Sequence, residues 1–521
     1  MTDDVLSVYA QAQPDKPGVI DDRPGEPVTV WTYAELEAQS NRVANLLTAL
    51  GIGAGQKVIW CGPNSPEVIA VMNATRKIGA VAVPLNYRLT PEEALYIVNH
   101  SDAEVAYVDH EHAPMFAALR DQFENVRHII AVGGPGQAPH GMLTDADIAA
   151  APADPPDAGD AAGTGGTMIY TSGTTGRPKG AVRASGPDPE VVGALLGLLG
   201  YRTDDIYITS GPLYHSGPSA FMAAGILFGQ TIIVQRKFEP EDWLRLVDKY
   251  RATSSFSAPA LVRMICALPQ AVKDRYDRSC VRILIANAAP WSMTLKRQYL
   301  ADFPPESLFE VYGSTELGVD TVLLPADQLR KPGSCGKPAP SIEVLLVDDD
   351  GNEVTGTGPE NTGQVYVRSK SMFSAYYKNT MSYEASSRGD YRTVGDVAYW
   401  DDEGYLYICD RKTDMIISGG MNIYPAEIEA ALEQHPEIYD VAVFGIPSQE
   451  WGEAVHATVV LVPGSALTRE EITAFAREYL AGYKVPRSLD FAAELPRTGS
   501  GKLLKRQLRA PFWAGHSTQV G

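Results

Sequence analysis

The stretch Thr167-Met168-Ile169-Tyr170-Thr171-Ser172-Gly173-Thr174-Thr175-Gly176-Arg177-Pro178-Lys179-Gly180 governs the reading of the whole chain. Thr167 to Tyr170 predict a buried core strand. The strand runs into a loop crowded with hydroxyls and glycines and carrying the cations Arg177 and Lys179. Glycines let the backbone come close to a ligand, while hydroxyls, amides and Lys179 offer donors and charge to oxyanions. That chemistry suits a triphosphate. It is not a Walker A loop, because no Gly-Lys-Ser/Thr closes it. The plain alternative is a solvated Gly/Ser/Thr turn, and so much phosphate-binding chemistry in one place argues against it.

Upstream of this loop, helix and strand patterns alternate. Residues 33–50 carry apolar side chains at helical spacing behind Thr32, a fitting N-cap. Residues 57–61 predict a strand, 65–77 a helix and 81–84 a strand, which together suggest α/β layers with parallel strands. Residues 133–166 are rich in Gly, Pro, Ala and Asp and read as a surface connection. Gly51, Gly53 and Gly55 follow a helix rather than a strand, so they read as a helix-ending turn and not a dinucleotide loop.

Near Asp410 the character changes. A strand over 405–409 leads into the charged cluster Asp410-Arg411-Lys412-Thr413-Asp414. An apolar strand over 415–417, the pair Gly419-Gly420 and a helix opening at Pro425 follow. The expected fold is therefore α/β: a large N-terminal domain of layered α/β subdomains over residues 1–410, and a small α+β C-terminal domain over 411–521.

The chain has 521 residues, 45% of them hydrophobic and 21% charged, with a formal net charge of -20. That charge argues against a nucleic-acid surface, which needs clustered Lys and Arg, yet it leaves room for small polyanions held by a local nest of amides and cations. No apolar run approaches the ~20 residues of a membrane-spanning helix, and the N-terminus lacks the pattern of a secretory signal. A cytoplasmic protein is expected. Cys61, Cys266, Cys280, Cys335 and Cys409 are isolated and form no CxxC pair, so neither a zinc site nor a disulfide framework is indicated. His110 and His112 read as solvated.

The phosphate-binding loop resembles the signature of the adenylate-forming superfamily: acyl-CoA synthetases, luciferases and peptide-synthetase adenylation domains. The other family motifs follow in order along nearly the whole chain, most like those of bacterial fatty-acid–CoA ligases. Pro212-Leu213-Tyr214-His215 resembles the segment gating the acyl pocket. Ala286-Asn287-Ala288-Ala289-Pro290 resembles the loop beside adenine. In Tyr312-Gly313-Ser314-Thr315-Glu316, the resemblance implies that Tyr312 stacks on adenine, Thr315 meets phosphate and Glu316 helps hold magnesium. Gly395-Asp396 resembles the ribose site, and Arg411 matches the arginine that meets ribose or phosphate. Ser418-Gly419-Gly420 matches the loop lining the thiol tunnel. Pro496-Arg497-Thr498-Gly499-Ser500-Gly501-Lys502 resembles the C-terminal catalytic-lysine motif. Many relatives carry Asp or Lys two positions after the junction arginine; here that position is Thr413, so no hinge residue is carried over.

The resemblance implies an ATP-dependent acyl-CoA synthetase that uses ATP, magnesium (Mg2+) and coenzyme A. The implied catalytic residues are Lys502, Thr171, Thr315, Glu316 and His215. The nucleotide contacts are Thr171, Ser172, Gly173, Thr174, Thr175, Gly176, Lys179, Asn287, Ala288, Ala289, Tyr312, Gly313, Asp396 and Arg411. The metal ligand is Glu316. Glu316 is a hard oxygen donor of the kind magnesium takes once or twice beside substrate phosphates. The implied partners are a small carboxylic acid, ATP and coenzyme A, with no nucleic acid and no membrane span; a homodimer stays open. Residues 215–222, 257–260 and 286–289 are expected to line the acyl pocket; many are small or apolar and none is an Asp to pair with an ammonium group, which favours a fatty, aromatic or polycyclic acid over an amino acid. Three alternatives share these motifs: an enzyme of one half-reaction, a stand-alone adenylation enzyme loading a carrier protein, and a nucleotide-sensing protein without turnover.

Overall fold

The computed structural model describes residues 4–134, 138–161, 164–171, 177–184, 186, 188–287, 289, 291–411, 414–419, 421–498 and 503–514. Among them, four sheets organise the chain. The largest has nine strands, in the order Lys337–Pro338, Gly318–Leu323, Leu308–Ser314, Ile283–Ala286, Ser254–Ser257, Ile206–Thr209, Thr231–Val234, Pro17–Asp21 and Thr29–Thr32. Its inner strands, from Leu308–Ser314 to Pro17–Asp21, are parallel, and its edges are antiparallel. A second sheet runs Ala375–Tyr376, Lys179–Arg183, Thr167–Thr171, Val81–Leu85, Lys57–Cys61, Val105–Asp109 and His128–Val132.

Two helices are sandwiched between these sheets. Tyr33–Ala49 starts at a capping box in which Thr32 and Glu35 satisfy each other's backbone amides. Pro66–Lys77 starts at Ser65, with proline in the first turn where no amide is needed. Leu36, Val43, Leu47 and Ile69 from these helices share one core with Val19 and Ile232 of the first sheet and Val58 and Trp60 of the second. Being covered on both faces explains the near-continuous apolar strands.

A third sheet, wholly antiparallel, is built from Glu343–Val347, Gly363–Arg368, Asp396–Trp400 and Leu406–Arg411 with two short strands. Helix and strand alternation did not announce it. The fourth sheet carries the small C-terminal domain: Met421–Ile423, Ile416–Ser418, Gly452–Leu461 and Ile438–Ser448, with Ser488–Phe491 beside Gly452–Leu461. Its own core joins Ile416, Ile428, Leu432, Val443, Val459 and Ile472. No helix among the described residues is long and apolar enough to cross a membrane.

Two local readings change. The strand expected to stop at Cys409 continues to Arg411, because both charged residues find partners there: Asp410 accepts from the Ala426 amide at 3.1 Å, and Arg411 pairs with Asp396 across the strand. A hairpin strand, Met421–Ile423, intervenes before the helix Pro425–Leu432. The connection over 133–166 also holds a short helix, Asp145–Ala150, started by a Thr144–Asp147 capping box.

The small domain docks on the large one through Arg263. Its guanidinium donates to the Tyr439 carbonyl at 2.8 Å and faces Asp440 at 3.5 Å and Glu433 at 3.9 Å. Asp440 is held in turn by Arg497 at 2.7 Å. Burial pushes the Glu433 carboxyl up to about 7, opposed by Arg263 and helped by Glu429 and Asp440. A raised folded-state pKa means that the folded chain keeps a proton the unfolded chain has lost. The resulting stability is full below the ordinary Glu range and is lost as pH rises through about 7. From this group alone the loss is about 3 kcal/mol at most. Glu433→Gln should therefore flatten stability between pH 4.5 and 7, read as urea midpoints across that range; curves parallel to wild type would contradict the assignment.

Candidate active site

The parallel strands of both large sheets end at one cleft, where α/β sheets place their ligands. A continuous cavity of about 3260 Å³ opens there. Thr171, Lys179, His215, Asn287, Ala289, Tyr312, Gly313, Thr315, Glu316, Asp396 and Arg411 all line it.

The centre is the turn joining Leu308–Ser314 to Gly318–Leu323. Position 313 must be glycine, since a Cβ there would collide with the Gly318 carbonyl. The tight turn presents Thr315 and Glu316. Thr315 Oγ1 lies 2.8 Å from Ser216 Oγ, and its carbonyl accepts from Arg183 at 2.9 Å. Glu316, only 8% exposed, accepts at Oε1 from Thr171 Oγ1 at 3.0 Å and from Tyr376 Oη at 3.1 Å. Tyr312 Oη donates to Asp396 Oδ2 at 2.6 Å, while Arg411 Nε stands 3.3 Å from Oδ1. Each of those oxygens keeps a further lone pair for a diol. Burial pushes the Tyr312 phenol well above its ordinary range, reinforced by Asp396.

Lys179 Nζ donates to Ser382 Oγ at 3.0 Å. Asn287 straps strand ends together, its side chain donating to the Val311 carbonyl at 2.8 Å. His215 precedes the helix Ser216–Leu227 and packs on Tyr214 with ring centroids 4.4 Å apart. Its Nε2 is buried without a hydrogen-bond partner among the described residues. Burial, and then Arg88, lower its pKa to about 4.

Ser418 and Gly419 are not brought to the cavity. Gly419 takes a left-handed turn (φ 58°), its amide donating to the Trp451 carbonyl at 2.8 Å, and a Cβ would meet the Trp451 ring at 2.7 Å. By contrast Arg497, Thr498, Leu503 and Lys505, flanking Lys502, do line it. Ser172, Gly173, Thr174, Thr175, Gly176, Ala288, Thr413, Gly420 and Lys502 lie outside the described residues. His110 is exposed as expected, but His112 is half-buried against Tyr87 at 5.4 Å. Asp109, His110 and Glu111 do cluster, with both carboxylates engaged by Arg236.

Sequence reading missed Arg183 and Tyr376, and it named Ser216 only within the pocket-lining stretch 215–222. Arg183 was legible in principle, since positions 179 and 183 of one strand share a face. Tyr376 was not, because its strand has only two residues, Ala375–Tyr376.

Glu316 fits a divalent cation. It is a hard donor at the cavity wall, and both side-chain hydrogen bonds it receives from described residues fall on one oxygen, Oε1.

A Thr/Glu turn, a carboxylate bonded by Tyr312 and a small domain beside one cleft together suit the phosphates and ribose of a nucleotide. The AMP-binding enzyme model matches residues 6–377, and the AMP-binding enzyme C-terminal domain matches 427–502. The chain is 35% identical to a feruloyl-CoA synthase of Amycolatopsis sp, covering 93% of this chain and 94% of that one. It is 32% identical to a long-chain-fatty-acid–CoA ligase of Mycobacterium tuberculosis, covering 93% of each. Among solved structures it resembles an anthranilate CoA ligase in complex with anthranoyl-AMP, at TM-score 0.86 and 25% identity over 98% of this chain and 96% of that one. The chain belongs to the AMP-binding enzyme family and is an AMP-forming acyl-CoA ligase.

With its pKa near 4, His215 stays neutral through the physiological range. The pH profile of adenylation between about pH 5 and 8, the window in which an ordinary histidine titrates, should keep its shape in His215→Phe even where the rate falls. An acidic limb near the ordinary histidine value of about 6.5 that vanishes in the variant would overturn this.

Proposed function

We propose that the protein activates a hydrophobic carboxylic acid as its acyl-adenylate and passes the acyl group to coenzyme A. The observation that carries this reading is the continuity of the cleft. Thr315, Glu316 and His215 line the same cavity as the apolar side chains Val191, Leu196, Phe221, Met222, Ile226 and Phe256. Pockets with apolar walls and a few convergent polar groups select apolar substrates.

The carboxylate attacks the α-phosphate of ATP and expels pyrophosphate. Thr171, Thr315 and Lys502 donate to the charge that builds on that phosphate, which is electrostatic preorganisation rather than covalent catalysis. Tyr312 offers its ring to adenine, and Asp396 accepts from the ribose hydroxyls. Glu316 is the residue that would hold magnesium, which when bound supplies charge neutralisation to the phosphates. His215, neutral and desolvated, closes the acyl end against water.

For the second half, the small domain turns about the junction after residue 410, withdrawing Lys502 and bringing Gly419-Gly420 to the thiol path. The present arrangement supports this order, since the flanks of Lys502 line the cleft while Ser418 and Gly419 stand off it.

Pyrophosphate release measured with a panel of acids tests the substrate reading: fatty and aromatic acids should exceed amino acids by at least about ten-fold in kcat/KM, the scale of two buried methylenes. A preference for amino acids would sink it. Lys502→Ala should lose adenylation by about 100-fold or more, the scale of one oxyanion donor, while synthetic acyl-AMP and coenzyme A still yield thioester. Equal losses in both half-reactions would take Lys502 away from the reacting phosphate.

A further inference from the structure

We propose that Tyr376 is a positioning residue of the phosphate site, holding Glu316 in the orientation that meets the divalent cation and keeping Lys179 from pairing with it. That role rests on the reading of Glu316 as the cation's ligand.

Tyr376 reaches the site on a strand added to the edge of the second sheet. Ala375 and Tyr376 pair antiparallel with Val182 and Ala181. Backbone bonds flank the pair, Ser374 N to Val182 O at 2.7 Å and Tyr377 N to Gly180 O at 2.8 Å. Alternation along a strand sends neighbours to opposite faces. Tyr377 accordingly donates away from the site, to Asp102 at 2.6 Å, and Tyr376 turns into the cavity. The ring of Phe373 packs edge-on to Tyr376 at 4.8 Å, and the Phe373 amide donates to the Glu316 carbonyl at 2.7 Å. One short segment therefore grips both the backbone and the side chain of Glu316.

The hydrogen bonds to Glu316 are lopsided. Thr171 and Tyr376 both donate to Oε1, and no described residue donates to Oε2. Two donors on one oxygen fix the carboxylate rotamer and leave the second oxygen to a ligand that brings positive charge.

Lys179 is a cation in the same cavity as Glu316, and no ion pair joins the two among the described residues. Instead Lys179 Nζ stands 5.5 Å from the centroid of the Tyr376 ring and donates to Ser382. The neutral phenol thus satisfies the cation with its π-face and the anion with its hydroxyl. A direct Lys179–Glu316 pair would neutralise both, leaving less charge for phosphate and for the metal.

The test uses the full-length protein and Mn2+ as the probe. Free Mn2+ is counted by electron paramagnetic resonance in the presence of ATP, ATP binding without metal is measured calorimetrically in EDTA, and melting is recorded for each variant. Tyr376→Phe keeps the ring and removes the donor. It should weaken Mn2+·ATP binding roughly ten-fold, the scale of one hydrogen bond to a charged group, and leave both metal-free ATP binding and the melting temperature as in wild type. Thr171→Val should also weaken Mn2+·ATP binding, with part of the loss kept in EDTA because Thr171 meets the nucleotide as well, and the double variant should lose more Mn2+·ATP binding than the product of the two, because either donor alone still orients the carboxylate. Glu316→Gln distinguishes the metal ligand from the group that positions it. If it weakens Mn2+·ATP binding and Tyr376→Phe does not, the positioning role is overturned and the metal reading stands. If Glu316→Gln leaves Mn2+ binding unchanged, the metal reading fails and the positioning role with it. A loss in Tyr376→Phe that is equally large in EDTA would assign Tyr376 to nucleotide packing and overturn the proposal.

Discussion

One carboxylate oxygen ties the site together. Glu316 Oε1 accepts from Thr171, 145 residues earlier in the chain, and from Tyr376, 60 residues later. Those donors end strands of the second sheet, while Glu316 sits on the turn that closes the edge of the first. The two sheets pack through the helices Tyr33–Ala49 and Pro66–Lys77, and the hydrogen bonds to Glu316 cross from one sheet to the other. An anion buried to this degree is stable only if it is bonded. The fold therefore has to bring both hydroxyls to it, and the cleft follows from that requirement.

The same rule governs the contact between the two domains. Glu433, Asp440, Arg263 and Arg497 form a mixed cluster in which Asp440 is shared between the two arginines. Such a contact holds a domain without locking it, since the desolvation cost of the acids offsets most of the pairing energy. A docking surface of this kind is compatible with the domain rotation proposed above.

Chemistry in the cleft is divided between rigid and adaptable parts. The turn at Gly313 to Gly318 is over-determined: the glycine admits a contact no side chain would allow, and Arg183 bonds the carbonyls of both Thr315 and Ser371. The same cavity is also lined by the apolar side chains Phe221, Met222 and Ile226. A preorganised polar end beside apolar walls fits the hydrophobic acid proposed above.

The sequence alone determined the local elements and the chemical inventory. The helices starting at Thr32 and Ser65, the strand at Lys57 and the helix at Pro425 all form where capping residues and apolar periodicity put them, because those signals act over a few residues. Thr171, Tyr312, Thr315, Glu316, Asp396 and Arg411 could be named for the same reason, as short motifs. What only the tertiary structure decided is which of them meet. Tyr376 carries no local signal, the antiparallel third sheet has no helix alternation to betray it, and Ser418 and Gly419 match their motif yet stand away from the cleft. Such outcomes depend on partners far away in the chain, and on where burial leaves a charge that something distant must satisfy.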